Sequence, residues 1–186
     1  RLIDQAKWLG ERLGMNHSFQ MNYSLGMCGM GNAILSVFNI AMVYSHHLRS
    51  FGEHRGLLEV GLKTSSGLLT VFTTHLGLDN KERVIQAGEI ADIVCAAKCA
   101  KVLCGDFNET IYGDAVSSLL HSTALIDTLP NCSYTFPSDT PSHKIDFVFC
   151  DASIKVEGGG IMESIASDYL PVVVDIELPA LQDSDE

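Results

Sequence analysis

Apolar positions near the start of the chain recur every three or four residues: Leu2, Ala6, Leu9 and Leu13 form one stripe that stops at Gly14. That spacing predicts an amphipathic helix closed by glycine. The period is then lost. Residues 15–32, rich in Met, Asn and Gly, read as a loop or irregular edge, with Gly26–Gly31 as a flexible loop. Ala33–Phe38 predicts a short strand. Gly56–Lys63 and Leu68–Thr74 alternate apolar and polar residues around Thr64-Ser65-Ser66-Gly67, the signature of a β-hairpin. Asp79 with Glu82 three residues on resembles a capping box. The stripe Val84, Ala87, Ala91, Val94 then predicts a helix to about Ala97. Further on, Lys101–Gly105 predicts a buried strand and Ala115–Leu120 a short helix, while Lys144–Cys150, Ser153–Glu157 and Pro171–Glu177 supply the last strands. No repeat or linker interrupts this order, so residues 1–186 read as one α/β domain whose end, 179–186, is a flexible acidic tail.

Composition narrows the classes. With 186 residues, 46% of them hydrophobic and 19% charged, the chain can bury a large core, which excludes disorder as its main state. No apolar run approaches the ~18 residues of a membrane span. No signal-peptide pattern opens the chain. Both readings point to a cytoplasmic protein with no membrane partner. The six cysteines lack zinc-site spacing and read as small buried hydrophobes of a reducing compartment. Trp8 is expected to pack the first helix onto a sheet, and Met15, Met21, Met27, Met30 and Met42 to fill irregular core. His46, His47 and His54 fall near a predicted loop, as solvated or substrate-rim residues. Twelve basic against 23 acidic residues give a net charge of −11, which argues against nucleic acid as partner. A small phosphorylated substrate gripped by a few local groups is compatible with it.

The candidate chemistry stands where apolar strands stop. Thr73-Thr74-His75 ends one strand and Gly105-Asp106-Phe107-Asn108 the next. Asp146 interrupts the apolar run Ile145–Phe149, and Ser167-Asp168-Tyr169 precedes the last strand. A carboxylate inside a buried strand costs several kcal/mol unless it is paired, hydrogen-bonded or metal-bound. Each motif alone has a bland alternative, such as an Asx-turn for Gly-Asp-x-Asn.

In this order, Thr74-His75-Leu76, Gly105-Asp106-Phe107-Asn108, Lys144-Ile145-Asp146-Phe147 and Ser167-Asp168-Tyr169-Leu170-Pro171 resemble the endonuclease/exonuclease/phosphatase superfamily. Gly31–Ser36 and His54–Leu58 look like its earlier strands, so the likeness runs from about Asp4 to Leu178. It implies a four-layer α/β/β/α sandwich of two packed sheets, deoxyribonuclease I-like, with the site at the strand ends. It also implies a metal-dependent phosphoester hydrolase. Asp106 would orient or deprotonate the attacking water, and Asn108 would hold that water or a phosphoryl oxygen. His75 would donate to the phosphate, Arg55 would add a phosphate fork, and Asp146 would orient a histidine partner. Asp168, with Asp106, would bind Mg²⁺ or Mn²⁺, hard cations that favour carboxylate oxygen.

Two departures qualify that expectation. The superfamily's opening strand with its Asn, and the next strand ending in Gln-Glu, have no counterpart in this sequence. The chain is therefore expected to lack the N-terminal strands and the Glu that would be the main metal ligand. Its Ser-Asp-His also reads Ser-Asp-Tyr at Tyr169. With a reference pKa near 10, a phenol cannot act as an imidazolium, although it still donates one hydrogen bond. The first reading is thus a Mg²⁺-dependent hydrolase cleaving phosphomonoesters or phosphodiesters of a small substrate by in-line attack of water. The alternatives are a catalytically impaired pseudoenzyme or binding module, and a nuclease.

Overall fold

In the computed structural model, which describes residues 4–179, the Asp4 carboxylate opens the first helix by accepting the Lys7 amide N–H at 3.0 Å. This helix, α1 (Gln5–Leu13), ends at Gly14 as its stripe requires, and Leu2 lies outside the described residues. It buries only Ala6 and Gly10. Trp8 is exposed beneath the Arg12 guanidinium, 5.1 Å from its ring centre, so it does not anchor the helix to a sheet.

The expected loop at 15–32 is a hairpin of β1 (Asn16–Leu25) and β2 (Cys28–Ser36). Gly29 and Gly31 serve close packing, not flexibility: a side chain at Gly31 would collide with the Gln20 carbonyl across the pair. Met21, Met27 and Met30 are exposed on it and fill no core. A strand the sequence reading missed follows, β3 (Asn39–Leu48), so His46 and His47 belong to a strand and not to a loop. Next comes the expected hairpin, β4 (Arg55–Thr64) and β5 (Gly67–His75). Helix α2 (Asn80–Ala96) starts at Asp79, whose Oδ1 accepts the amides of Lys81 and Glu82. Glu82 does not complete a capping box, since its Oε1 accepts Gln86 Nε2 at 3.0 Å. Ala87, Ala91 and Val94 are buried as expected, but Val84 is exposed and Ile90 takes its place in the core. The chain continues through β6 (Ala100–Asp106), α3 (Asp114–Thr123), β7 (Ile126–Asp127), β8 (Asp146–Cys150), β9 (Lys155–Ile161) and β10 (Val172–Glu177).

Six strands form one mixed sheet in the order β3-β4-β5-β6-β8-β7. Its face towards α2 and α3 buries Leu57, Phe72, Leu103, Phe147 and Phe149 against Ile90, Val94, Val116 and Leu119. Leu58, Val60, Leu69, Val102 and Cys150 on the opposite face pack with Ile34, Val156 and Ile176 from a second layer. That layer has two halves: β1-β2, with β2 over β4 and β5, and β9-β10, with β10 over β8. Between the halves Val71, Thr73, Cys104 and Val148 are only half-buried. With α1 against β1 and β2, the layers run α/β/β/α, the expected architecture. All six cysteines are free thiols, but only Cys150 is fully buried while Cys28 and Cys95 are exposed, so the expectation of buried hydrophobes fails for most of them. Among the described residues no helix is long and apolar enough to cross a membrane.

Candidate active site at the strand ends

Strand register builds the centre of the site. In the parallel pair His75 stands opposite Asp106, and in the antiparallel pair Asp106 stands opposite Asp146, so three polar side chains end up abreast on β5, β6 and β8. Only glycine fits just before Asp106: Gly105 has φ of 150° and packs directly on the Thr74 carbonyl. Phe107, fully buried and edge-on to Phe147 at 5.9 Å, holds the turn that follows. Asn108 then adopts φ of 49°, and its amide N–H donates to Asp106 Oδ1 at 2.8 Å. This is the Asx-turn of the bland reading. Asn108 Nδ2 donates to the Leu76 carbonyl at 2.8 Å, which ties the end of β6 to the residue after His75.

Asp106 is shared. Its Oδ2 lies 3.4 Å from His75 Nε2, and its charge also acts on the Tyr169 phenol. The Tyr169 ring rests on Phe136 at 4.7 Å, and its segment is fixed by bonds from the Ser138 N–H to the Asp168 carbonyl and from the Leu170 N–H to the Thr135 carbonyl, both 2.8 Å. Burial, then the charge of Asp106, push the phenol up to about 12, so Tyr169 is neutral at physiological pH. Burial raises Asp146 to about 6; a Thr135 hydrogen bond opposes this, Asp106 reinforces it, and Asp146 Oδ2 has no hydrogen-bond partner. His75 is lowered, first by burial and then by the Arg55 charge, against the pull of Asp106 and Glu53.

Five of the expected residues, His75, Asp106, Asn108, Asp146 and Tyr169, therefore meet at one place. Arg55 approaches from β4, its side chain only 9% exposed and bound to Glu53 at 3.3 Å. Asp168 is exposed and accepts from the Ser167 hydroxyl at 3.2 Å. Three contributors were missed in the sequence. Asn32 is buried and donates to the Gly56 and Thr73 carbonyls, Thr135 receives the Ile145 and Asp146 amides, and Glu53 pairs with Arg55. Asn32 lies within the Gly31–Ser36 run already singled out, but Thr135 and Glu53 sit in irregular segments with no periodic or motif signal.

The carboxylates have the right donor chemistry for Mg²⁺ or Mn²⁺. Their number falls short: among the described residues no group of three or more His, Cys, Asp or Glu side chains converges to hold an ion. Asp106 and Asp168 alone would leave a hard cation to keep most of its own water.

Neither a family model nor a curated relative matches the sequence. Solved structures do. An endonuclease/exonuclease/phosphatase from Beutenbergia cavernae aligns with TM-score 0.80 and 22% identity over 95% of this chain and 58% of its own. One from Bacteroides vulgatus aligns with TM-score 0.81 and 18% identity over 95% of this chain and 82% of its own. A mannosyl-6-phosphatase from Bacteroides thetaiotaomicron gives 0.79 and 19%, over 94% and 81%. This chain thus spans little more than half the length of the first of them, and the likeness is one of architecture. The chain has the endonuclease/exonuclease/phosphatase fold.

Proposed function

We propose that the protein is a phosphoesterase that hydrolyses a phosphomonoester or phosphodiester of a small substrate at the ends of β5, β6 and β8. The observation that carries this reading is the juxtaposition of His75, Asp106 and Asp146 by strand register, with Asn108 and Tyr169 closing round Asp106. A phosphoester resists attack because it is anionic, so donors for its oxygens and an acceptor for the water proton must act together. His75, its pKa lowered chiefly by burial, donates an N–H to a phosphoryl oxygen. Arg55 adds a permanent cation on the same side. Asp106 accepts a hydrogen bond from the attacking water, and the Asn108 amide fixes its carboxylate through the bond it donates. Asp106 and Asp168, the carboxylates expected to bind Mg²⁺ or Mn²⁺, are too few to form a ligand set among the described residues, so no step of this reading passes through an ion. A mannosyl-6-phosphatase among the structural neighbours supports the phosphatase form of this reading. The net charge of −11 supports a small substrate over nucleic acid.

The observation that favours a second reading, a binding module without turnover, is the Tyr169 phenol near Asp106, which stays neutral and cannot act as an imidazolium there. A panel of phosphomonoesters and phosphodiesters, assayed with and without Mg²⁺, separates the two. Turnover of at least one member, with or without the ion, supports the enzyme. Binding of phosphoesters with no turnover under either condition supports the binding module.

A further inference from the structure

We infer that the cleft lined by Arg55 is a subsite for the alcohol portion of the substrate, built for an uncharged polyhydroxylated ring, so that the substrate is a sugar phosphate. This rests on the phosphoesterase reading for the phosphate end of the same site. The cleft, about 490 Å³, opens between the connection from β3 to β4 and the connection from β5 to α2. That volume lies within the ~300–1,000 Å³ of small-molecule pockets.

Arg55 joins the cleft to the reacting end. It lines the cleft, its charge acts on His75, its side chain is 9% exposed, and its Nε has no hydrogen-bond partner. A buried guanidinium with an unpaired N–H is costly until an acceptor arrives, and a phosphoryl oxygen is a strong acceptor for it. The rest of the cleft has a different character. Phe51 and Leu78, 65% and 77% exposed, give it apolar walls. Its carboxylates each commit one oxygen internally: Glu53 Oε2 to Arg55, Asp79 Oδ1 to two amides of α2, and Glu82 Oε1 to Gln86. A carboxylate only accepts hydrogen bonds, so the other oxygens call for a ligand rich in hydroxyl donors. Three carboxylates against Arg55 and Lys81 also leave this lining net negative, which repels a second phosphate. An apolar wall for the C–H face of a ring, acceptors for its hydroxyls and one cation at the phosphate end together describe a sugar monophosphate.

Calorimetric titration of the protein, in the presence of Mg²⁺, with glucose 6-phosphate, phenyl phosphate, ADP and inorganic phosphate tests this directly. Glucose 6-phosphate should bind about tenfold or more tighter than inorganic phosphate. Phe51→Ala, a change at an exposed position, should remove that gain and leave inorganic phosphate within twofold. If glucose 6-phosphate gains nothing over phosphate, or if phenyl phosphate or ADP binds tighter than it, the inference is overturned. The underlying reading fails separately. A Phe51-dependent gain with no turnover of any phosphoester keeps the subsite and removes the enzyme; turnover without the gain does the reverse.

Discussion

Asp106 is held by the Asn108 amide and faces the His75 ring and the Tyr169 phenol, and what these two neighbours do depends on their protonation. Tyr169 can donate one bond but cannot carry charge. Tyr169→His should therefore raise phosphoesterase turnover, because a positioned imidazole can also protonate the departing group. General acid–base groups contribute about 10²–10⁴-fold, and part of this is already supplied by the phenol, so the expected gain is about tenfold to a hundredfold. Asp146→Ala should cancel most of the gain while barely changing the Tyr169 parent; kcat for the four proteins of this cycle decides it. If histidine leaves kcat unchanged or lower, Tyr169 is an adapted part of the site. Asp146 also writes a signature in stability. Its pKa is raised from 3.8 to about 6 in the fold, so the folded chain binds more protons than the unfolded chain between those values. This contribution is full below about pH 4 and is lost as pH rises through about 6. The melting temperature of Asp146→Asn relative to wild type should accordingly rise between pH 4 and pH 7, whereas a constant difference would mean that Asp146 is not desolvated. At this scale the sequence was informative where a residue broke its surroundings, as Asp146 does in an apolar strand. Thr135 gave no such signal, because its bonds to the Ile145 and Asp146 amides exist only once distant segments meet.

Strand ends position side chains only if the loops beyond them are fixed, and the first turns of α2 do this. Arg83 donates to the Gly77 and Leu78 carbonyls after His75 and pairs with Glu109 after Asn108. Glu109 Oε2 in turn accepts the Ala115 and Val116 amides at the start of α3, at 2.8 and 3.0 Å. Gln86 accepts the Gly77 amide and donates to the Arg49 carbonyl in the connection from β3. Arg83→Met should cost about 3 kcal/mol in a denaturant titration, the low end for one-sided loss of a buried ion pair, since the α3 amides still satisfy Glu109. A cost under about 0.5 kcal/mol, usual for surface substitutions, would show that the pair is not a staple. Elements differed in how legible they were. The hairpin of β4 and β5 was visible because turn residues separate two patterned runs, and β4 is buried along almost its whole length. Strands β1, β2 and β3 were not, since β3 is largely exposed on both sides and the glycines of β2 answer to close strand packing, leaving a pattern that imitates a loop.

Across the whole molecule, motif order carried more than periodicity did. Four polar motifs in that order resembled the endonuclease/exonuclease/phosphatase superfamily, the resemblance implied a layered sandwich with its chemistry at the strand ends, and strand register brings the first three motifs together. The division of the second layer into two halves is a matter of pairing and packing, which hydropathy along the chain does not encode. Net acidity works at this scale too: a charge of −11 repels polyanions in bulk, so a phosphate must be drawn in by Arg55 and His75 locally. The central claim is that the group around Asp106 hydrolyses a phosphoester. The most direct measurement is kcat for the best phosphoester substrate with wild type and Asp106→Asn, alongside their melting temperatures. The Asn side chain can still accept the Asn108 amide through its Oδ1 yet cannot take a proton, so kcat should fall by about 10²-fold or more. The melting temperature should move by less than about 4 °C, the shift expected of ~1 kcal/mol or less in a domain of this size. Equal turnover in the two proteins would contradict it.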